Sequence, residues 1–244
     1  MNMKNIIITG ATRGLGLSIA NKLAIDGYNV IATGRKVTNN LNDLIHDDTI
    51  AGSIKFYPYD FKDLSGIKRF ADLIIKENGR PYGLINNAAL GHDGILGTMH
   101  ESQIKELINV NLAAPIIFTK YISRSMLVAG NGRVINISSI IGSTGFNGLS
   151  VYGATKSGLN GFTKSLSREL GKAGITVNNI APGYMDTDMT KGIDDSKLNS
   201  IIRRSPMKKL ASLEDVSAAI IFLLKEEAKS ITGSTITIDA GSTA

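Results

Sequence analysis

A single α/β domain built around a parallel β-sheet is the fold class this sequence predicts, and three observations predict it. Residues 5–8 are a continuous apolar run, as expected of a strand buried on both faces at the centre of a parallel sheet. A glycine-rich turn follows at once, from Thr9 to Gly16, and runs into an amphipathic helix. From there strand and helix signals alternate through all 244 residues without a repeat, a low-complexity tract or a linker, so residues 1–244 read as one domain.

The elements follow in order. The first helix runs through Ala24 and puts Leu15, Ile19, Ala20 and Leu23 on one side. Residues 29–33 are the second strand, ending Thr33-Gly34-Arg35, and 54–59 the third, ending at Asp60 and Phe61. Asp63 then reads as the cap of a helix that turns Ile67, Phe70, Ala71, Ile74 and Ile75 to the sheet and stops at Gly79 and Pro81. Residues 83–85 are the fourth strand and deliver Asn86-Asn87-Ala88-Ala89. A long helical pattern over 101–127 contains Pro115, which has no N–H for the carbonyl of Asn111 and crowds it. A kink or bulge is expected there, freeing the backbone of Asn111 to hold water. Residues 133–137 are the fifth strand, leading through Ser138 and Ser139 to a glycine-rich loop, and 152–170 the next helix. Residues 176–180 are the sixth strand, closed by Pro182-Gly183. Residues 184–206 show no strong periodicity, carry Asp186, Thr187 and Asp188, and are expected to form a lid-like segment. Ser212 and Asp215 start a helix through Leu224 in capping-box fashion, and 234–238 are the seventh strand.

Composition narrows the functions. At 43% hydrophobic residues the chain can bury a sizeable core, and with no cysteine it has no disulfides, thiolate metal sites or cysteine nucleophiles. No metal site is expected. That composition is compatible with a reducing cytosol, and a cytoplasmic location is the expectation. The apolar run near Lys4 is too short for a signal-peptide core or a membrane span, so no membrane association is expected. A net charge of +6 with pI near 9.4 suits an anionic partner or a solvated basic surface. Lysines and arginines are scattered, with short clusters at Arg203-Arg204 and Lys208-Lys209 and no interleaved aromatics, so nucleic acid is not expected as a partner.

Chemistry enters with Tyr152-Gly-Ala-Thr-Lys156, which puts a phenol and an ammonium on one helix face. A free phenol has a pKa of about 10, and a cation fixed beside it lowers that value and makes a usable acid/base. Ser139 at the end of the fifth strand and Asn111 in the preceding helix are its candidate company. The turn Thr9-Gly10-x-x-x-Gly14-x-Gly16 brings a pyrophosphate against a helix N-terminus, where unpaired N–H groups favour negative charge; the alternative is glycines that serve only the turn. Where a carboxylate would bind ribose hydroxyls, nothing acidic lies between Gly27 and Leu41 and Arg35 stands instead. Arg13 and Arg35 together match a 2′-phosphate, favouring NADP(H) over NAD(H), unless both are merely solvated. Asp60 either accepts from an adenine amino group or caps the following turn.

Thr9-Gly10-x-x-x-Gly14-x-Gly16, Asn86-Asn87-Ala88, Asn111, Ser139, Tyr152-x-x-x-Lys156 and Pro182-Gly183, in that order and spacing, resemble the short-chain dehydrogenase/reductase family essentially end to end. The resemblance implies a Rossmann-type doubly wound sheet of seven parallel strands in order 3-2-1-4-5-6-7 with helices on both faces. It implies that Tyr152 is proton donor in reduction, that Ser139 binds the substrate carbonyl and that Lys156 lowers the tyrosine pKa and binds the nicotinamide ribose. Asn111 would anchor a water linking the lysine to solvent. Thr9, Gly10, Arg13, Gly14, Leu15, Gly16, Arg35, Asp60, Phe61, Asn87, Ala88, Tyr152, Lys156, Pro182, Gly183 and Thr187 would bind cofactor, Asn87 and Asp60 flanking the adenosine and Thr187 near the nicotinamide amide.

Within that family, Thr187-Asp188-Met189-Thr190 and Ile231-Thr232-Gly233 look most like bacterial 3-oxoacyl-[acyl-carrier-protein] reductases, implying NADPH-dependent reduction of a 3-oxoacyl thioester in fatty acid synthesis. The chain departs from them at Gly130 and Ala173, where such reductases often carry basic carrier-docking residues, and at Ala89, where glycine is usual. Another ketone or secondary alcohol is the alternative substrate, and a non-catalytic dinucleotide sensor on the same fold the alternative of another class. A small-molecule carbonyl substrate, presented on an acyl carrier protein in the first reading, and a homotetramer complete the expectation.

Overall fold

The computed structural model describes residues 3–185 and 195–244, with residues 195–197 described in backbone only. Its centre is a seven-stranded sheet of β1 (Asn5–Thr9), β2 (Asn29–Gly34), β3 (Ser53–Pro58), β4 (Gly83–Asn86), β5 (Gly132–Ile137), β6 (Ile175–Pro182) and β7 (Thr235–Ile238). All pairs are parallel and the order is β3-β2-β1-β4-β5-β6-β7, as the resemblance implied.

The pleat of β1 explains its unbroken apolar run. Ile6 and Ile8 point into one core and Ile7 into the other, and all three are fully buried. The first core lies under α1 (Gly14–Ile25), α2 (Asn39–Ile45) and α8 (Leu213–Leu224). The second lies under α3 (Ile67–Asn78), α5 (Ala114–Ala129) and α6 (Ser150–Leu170). Burying each such isoleucine contributes roughly 1.5–3 kcal/mol, so the two layers together hold the strand ends in place.

Several elements differ from expectation. The pattern over 101–127 is two helices, α4 (Glu101–Ile108) and α5, joined by a π-helical turn over Asn109–Ala113. The expected bulge before Pro115 is therefore present. Asp63 does not cap α3, whose N-cap is Gly66. Its carboxylate instead accepts from the Ser65 hydroxyl at 2.6 Å and the Gly66 N–H at 3.0 Å, closing the turn just ahead of the helix. The short α2, capped by Thr38, buries Leu41 alone among its residues and so leaves no periodic signal to read. Residues Asp195–Arg204, within the stretch that lacked strong periodicity, form α7, with Arg203 and Arg204 in the last turn where cations suit the helix dipole. At α8 the expected capping box is present, Ser212 and Asp215 each accepting the other's backbone N–H.

Candidate active site

The crevice lies where the carboxyl ends of β1 and β4 diverge, the switch point of a doubly wound sheet. Gly10 and Gly14 have φ of +68° and +51°, a region open to glycine, and they let the chain turn from β1 into α1. A Cβ on Gly16 would lie 2.1 Å from the Gly10 carbonyl oxygen, so only glycine lets α1 start so close over the turn. Arg13 stands at the N-cap in extended conformation and its side chain makes no capping hydrogen bond, while Leu15 is buried in the core beneath. The first N–H groups of α1 are thus left to an anion, and this glycine cradle fits the pyrophosphate of a dinucleotide. Arg13 and Arg35 are both exposed, and their segments are held together by Ala11 N–H to Thr33 carbonyl at 2.9 Å and Thr38 hydroxyl to Thr12 carbonyl at 2.7 Å.

The turn after β4 is fastened from two sides. Thr9 Oγ1 accepts from the backbone N–H groups of Asn87 and Ala88, both at 2.9 Å, and Asn87 Nδ2 donates to the carbonyls of Thr9 and Gly10, both at 3.0 Å. Asn111 is 1% exposed and its amide clamps Leu90, donating to the carbonyl and accepting from the N–H, each at 2.8 Å. Ala89 is not in the left-handed region, so the methyl it carries in place of glycine's hydrogen meets no backbone strain. Asp60 is exposed and accepts from the Lys62 N–H at 3.0 Å, which makes it the cap of its turn. The ring of Phe61 packs edge-on against Phe118 at 5.3 Å in the second core, so only its backbone is left to face the crevice.

Ser139, Tyr152 and Lys156 meet at the end of β5. Ser139 ends an extended stretch, and its Oγ accepts from the Ile141 N–H at 3.2 Å and lies beside the Tyr152 phenol. The Lys156 ammonium is 5.6 Å from the Tyr152 ring centre and donates to the Ile137 carbonyl at 2.7 Å. Here one expectation is corrected: Tyr152 is pushed up to about 12, chiefly by burial, with Ser139 pulling down and Asp93 and Tyr184 pushing up. Lys156 adds no lowering to this balance, and burial pulls its own ammonium down to about 8. Pro182 ends β6, and a Cβ on Gly183 would lie 2.7 Å from that of Asp239, so glycine lets the C-terminal tail close against it. Asp186, Thr187 and Asp188, with the rest of residues 186–194 of the expected lid, lie outside the described residues.

The sequence reading missed a row of buried asparagines. Asn86, Asn136 and Asn179 sit opposite one another on β4, β5 and β6. Asn86 donates to Asn136 and Thr119; Asn136 donates to Thr163, and Thr163 to Asn179. Asn179 donates to Asn160, whose Oδ1 also accepts from Ser138, and Ser138 donates in turn to the Lys156 carbonyl. This chain of bonds links the cofactor-side turn to the helix that carries Tyr152 and Lys156. Asp93 was also missed, although it acts on both Tyr152 and Tyr184; its loop is held by Gly94 N–H to Gly148 carbonyl at 3.0 Å. Phe146 and Tyr184 face each other at 6.0 Å on the same side. Among the described residues no cluster of three metal-ligating side chains occurs.

The family model described as short chain dehydrogenase matches residues 4–198. This chain belongs to that family. The dehydrogenase is 34% identical over 238 residues to the 3-oxoacyl-[acyl-carrier-protein] reductase FabG of Escherichia coli, covering 98% of this chain and 96% of the relative. It is 32% identical over 240 residues to the reductase of the same name from Staphylococcus epidermidis, covering 98% of each. Among solved structures it superposes on a short-chain type dehydrogenase/reductase from Mycobacterium ulcerans with TM-score 0.92 at 25% identity, covering 99% of this chain and 91% of the other. It superposes on ElxO with NADP bound with TM-score 0.90 at 32% identity, covering 99% of each. The dehydrogenase is an NAD(P)-dependent oxidoreductase that acts on carbonyl or hydroxyl groups.

Proposed function

We propose that this dehydrogenase uses NADPH to reduce a 3-oxoacyl thioester, carried on an acyl carrier protein, to the 3-hydroxyacyl form, in the cytoplasm and in the service of fatty acid synthesis. The observation that carries the reading is the meeting of Ser139, Tyr152 and Lys156 beside an uncapped helix N-terminus in a chain so similar to 3-oxoacyl-[acyl-carrier-protein] reductases.

The bound nicotinamide supplies the hydride; the chain supplies position and a proton. Ser139 holds the carbonyl oxygen, which gains negative charge as the carbon is reduced. A donor already aimed at that oxygen is worth most in the transition state. Tyr152 is a neutral phenol at pH 7, so its proton is there to be given. Lys156, charged below about pH 8, compensates the phenolate that remains and holds the ribose hydroxyls. Asn111 keeps Leu90 and the β4 turn in place, and the π turn around it offers backbone carbonyls to a water between Lys156 and solvent. Thr187 completes the nicotinamide contacts in this reading.

NADPH is favoured by the braced pair Arg13 and Arg35 and by the NADP in the ElxO structure. The discriminating assay follows NADPH oxidation with an acetoacetyl carrier-protein thioester beside small cyclic and sugar-derived ketones. Turnover of the thioester is expected, and none would overturn the substrate. Arg35→Ala should raise the KM for NADPH and leave that for NADH; a preference for NADH indifferent to Arg35 would overturn the cofactor assignment. A second reading, reduction of a different ketone or oxidation of a secondary alcohol, draws on Asp93 and the Phe146–Tyr184 pair, which give the substrate side an acidic and aromatic wall.

A further inference from the structure

Residues 198–213 contain four cations, Arg203, Arg204, Lys208 and Lys209, and no acid. All four are exposed, and between them in sequence stands Met207, an apolar side chain 62% exposed. Just beyond this stretch, Asp215 accepts from the Ser212 N–H at the start of α8 and offsets Lys209 in part.

This surface is built, not frayed. Ser205 is 1% exposed and its hydroxyl donates to the Ala240 carbonyl at 2.7 Å, an acceptor shared with the Met207 N–H at 3.4 Å. Lys208 N–H returns to the Ser205 carbonyl at 3.0 Å, and its ammonium donates to the Arg203 carbonyl at 2.7 Å. Lys208 has φ of +52°, where glycine would be relaxed and a long side chain is strained. A lysine held in a glycine conformation points to a use for its charge.

The patch also lies on the reacting side of the sheet. Ala240 is two residues beyond the end of β7, as Ser139 is two beyond the end of β5, and β6 alone separates those strands. Two strand spacings put the base of the patch roughly 10 Å from Ser139 across the carboxyl edge. Resting on the thioester reading above, we propose that Arg203, Arg204, Met207, Lys208 and Lys209 are the docking surface for the acidic carrier protein that presents the substrate. Cations around an apolar anchor complement an acidic helix with one exposed hydrophobic residue, speed encounter and make it depend on salt.

The test compares acetoacetyl-[acyl carrier protein] with the acetoacetyl thioester of N-acetylcysteamine, which has the same reacting group and no protein. For Lys208→Glu/Lys209→Glu and Arg203→Glu/Arg204→Glu, the KM for the carrier substrate should rise about tenfold or more while kcat and the constants for the small thioester stay unchanged. Lys208→Gly relieves the strained backbone and removes one cation, so it should keep or raise the Tm yet raise the carrier KM about threefold. An unchanged carrier KM in all three variants, or equal losses on both thioesters, overturns the docking surface and leaves the reaction standing. If the unaltered enzyme turns over neither thioester, the thioester reading itself falls and the docking proposal with it.

Discussion

Tyr152 is half-buried and keeps its proton well above neutral pH, so its usefulness lies in giving that proton at the moment the substrate oxygen gains charge. Tyr152→Phe should lower kcat for carbonyl reduction by about 100- to 10,000-fold with NADPH affinity unchanged, as read by steady-state kinetics and fluorescence titration of the cofactor. Lys156 makes the pH prediction. Its folded pKa of about 8 lies below its ordinary 10.5, so kcat/KM for reduction should fall above about pH 8 as the ammonium is lost. The stability consequence has the opposite sense. Between about 8 and 10.5 the unfolded chain binds a proton that the folded one does not, so stability rises with pH across that window and is flat below it. Urea midpoints at pH 7.5 and 10 should show that rise in the native protein and lose part of it in Lys156→Met. Residues of this kind were legible because their chemistry demands a spacing: Tyr152 and Lys156 one helical turn apart, and serine at a strand end. Asp93 was not legible, since nothing in a loop sequence says which phenol its carboxylate faces.

At the scale of the element, the π turn over Asn109–Ala113 makes the sharpest statement. Ala114 N–H goes to the Asn109 carbonyl, and Pro115 has no N–H, so the Val110 carbonyl loses its partners both four and five residues on. Val110 borders a cavity of about 10 Å³ that is also lined by Thr9 and Asn86, and Asn86 Oδ1 is a buried acceptor without a hydrogen-bond partner among the described residues. A space of that size with three polar neighbours suits one buried water. A crystal structure at high resolution should show a single ordered water there, and Asn86→Leu should remove it. The glycine turn supplies a second test. Gly16→Ala forces a methyl to 2.1 Å from the Gly10 carbonyl oxygen and 2.6 Å from Asn87 Nδ2. Overpacking of this sort costs roughly 1–3 kcal/mol, and because it shifts the N–H groups of α1 the NADPH Kd should weaken along with the urea midpoint. The bulge itself was readable from one proline. Helix α7 was not read, although Asp195 and Ser196 at its start and Arg203, Arg204 and Pro206 at its end are signals of a helix, because only Leu198, Ile201 and Ile202 in that short stretch mark an apolar side.

For the whole molecule, the sheet order puts the ends of β1, β4 and β5 side by side, with Thr9, Asn87 and Ser139 at those ends and Tyr152 and Lys156 on α6, which packs against the turn after β5. The stretch Glu101–Ala129 is apolar enough to cross a membrane by length and composition, yet Phe118, Ile122 and Met126 are fully buried within the second core. Its outward face is what remains to be covered: Ile108, Leu127 and Val128 are all exposed, Val128 by 69%. Exposed apolar side chains such as the adjacent Leu127 and Val128 at the end of α5 favour association with a second copy. Light scattering should give a mass near four times 26.0 kDa, and Val128→Asp should lower it; a monomer at micromolar concentration would count against the homotetramer.

How much of this the chain announces depends on the range of the interaction. Strands, most helices, the glycine turn and the Tyr152–Lys156 pair are written in short stretches, because backbone sterics, periodic burial and one-turn spacing act between near neighbours in sequence. The asparagine row, the clamp of Asn111 on Leu90 and the high phenol pKa were decided only in three dimensions. Asn86, Asn136 and Asn179 are 50 and 43 positions apart and look like polar interruptions of apolar strands until the register places them opposite one another. Desolvation, likewise, is the sum of everything packed around a group, and no local stretch of sequence contains that sum.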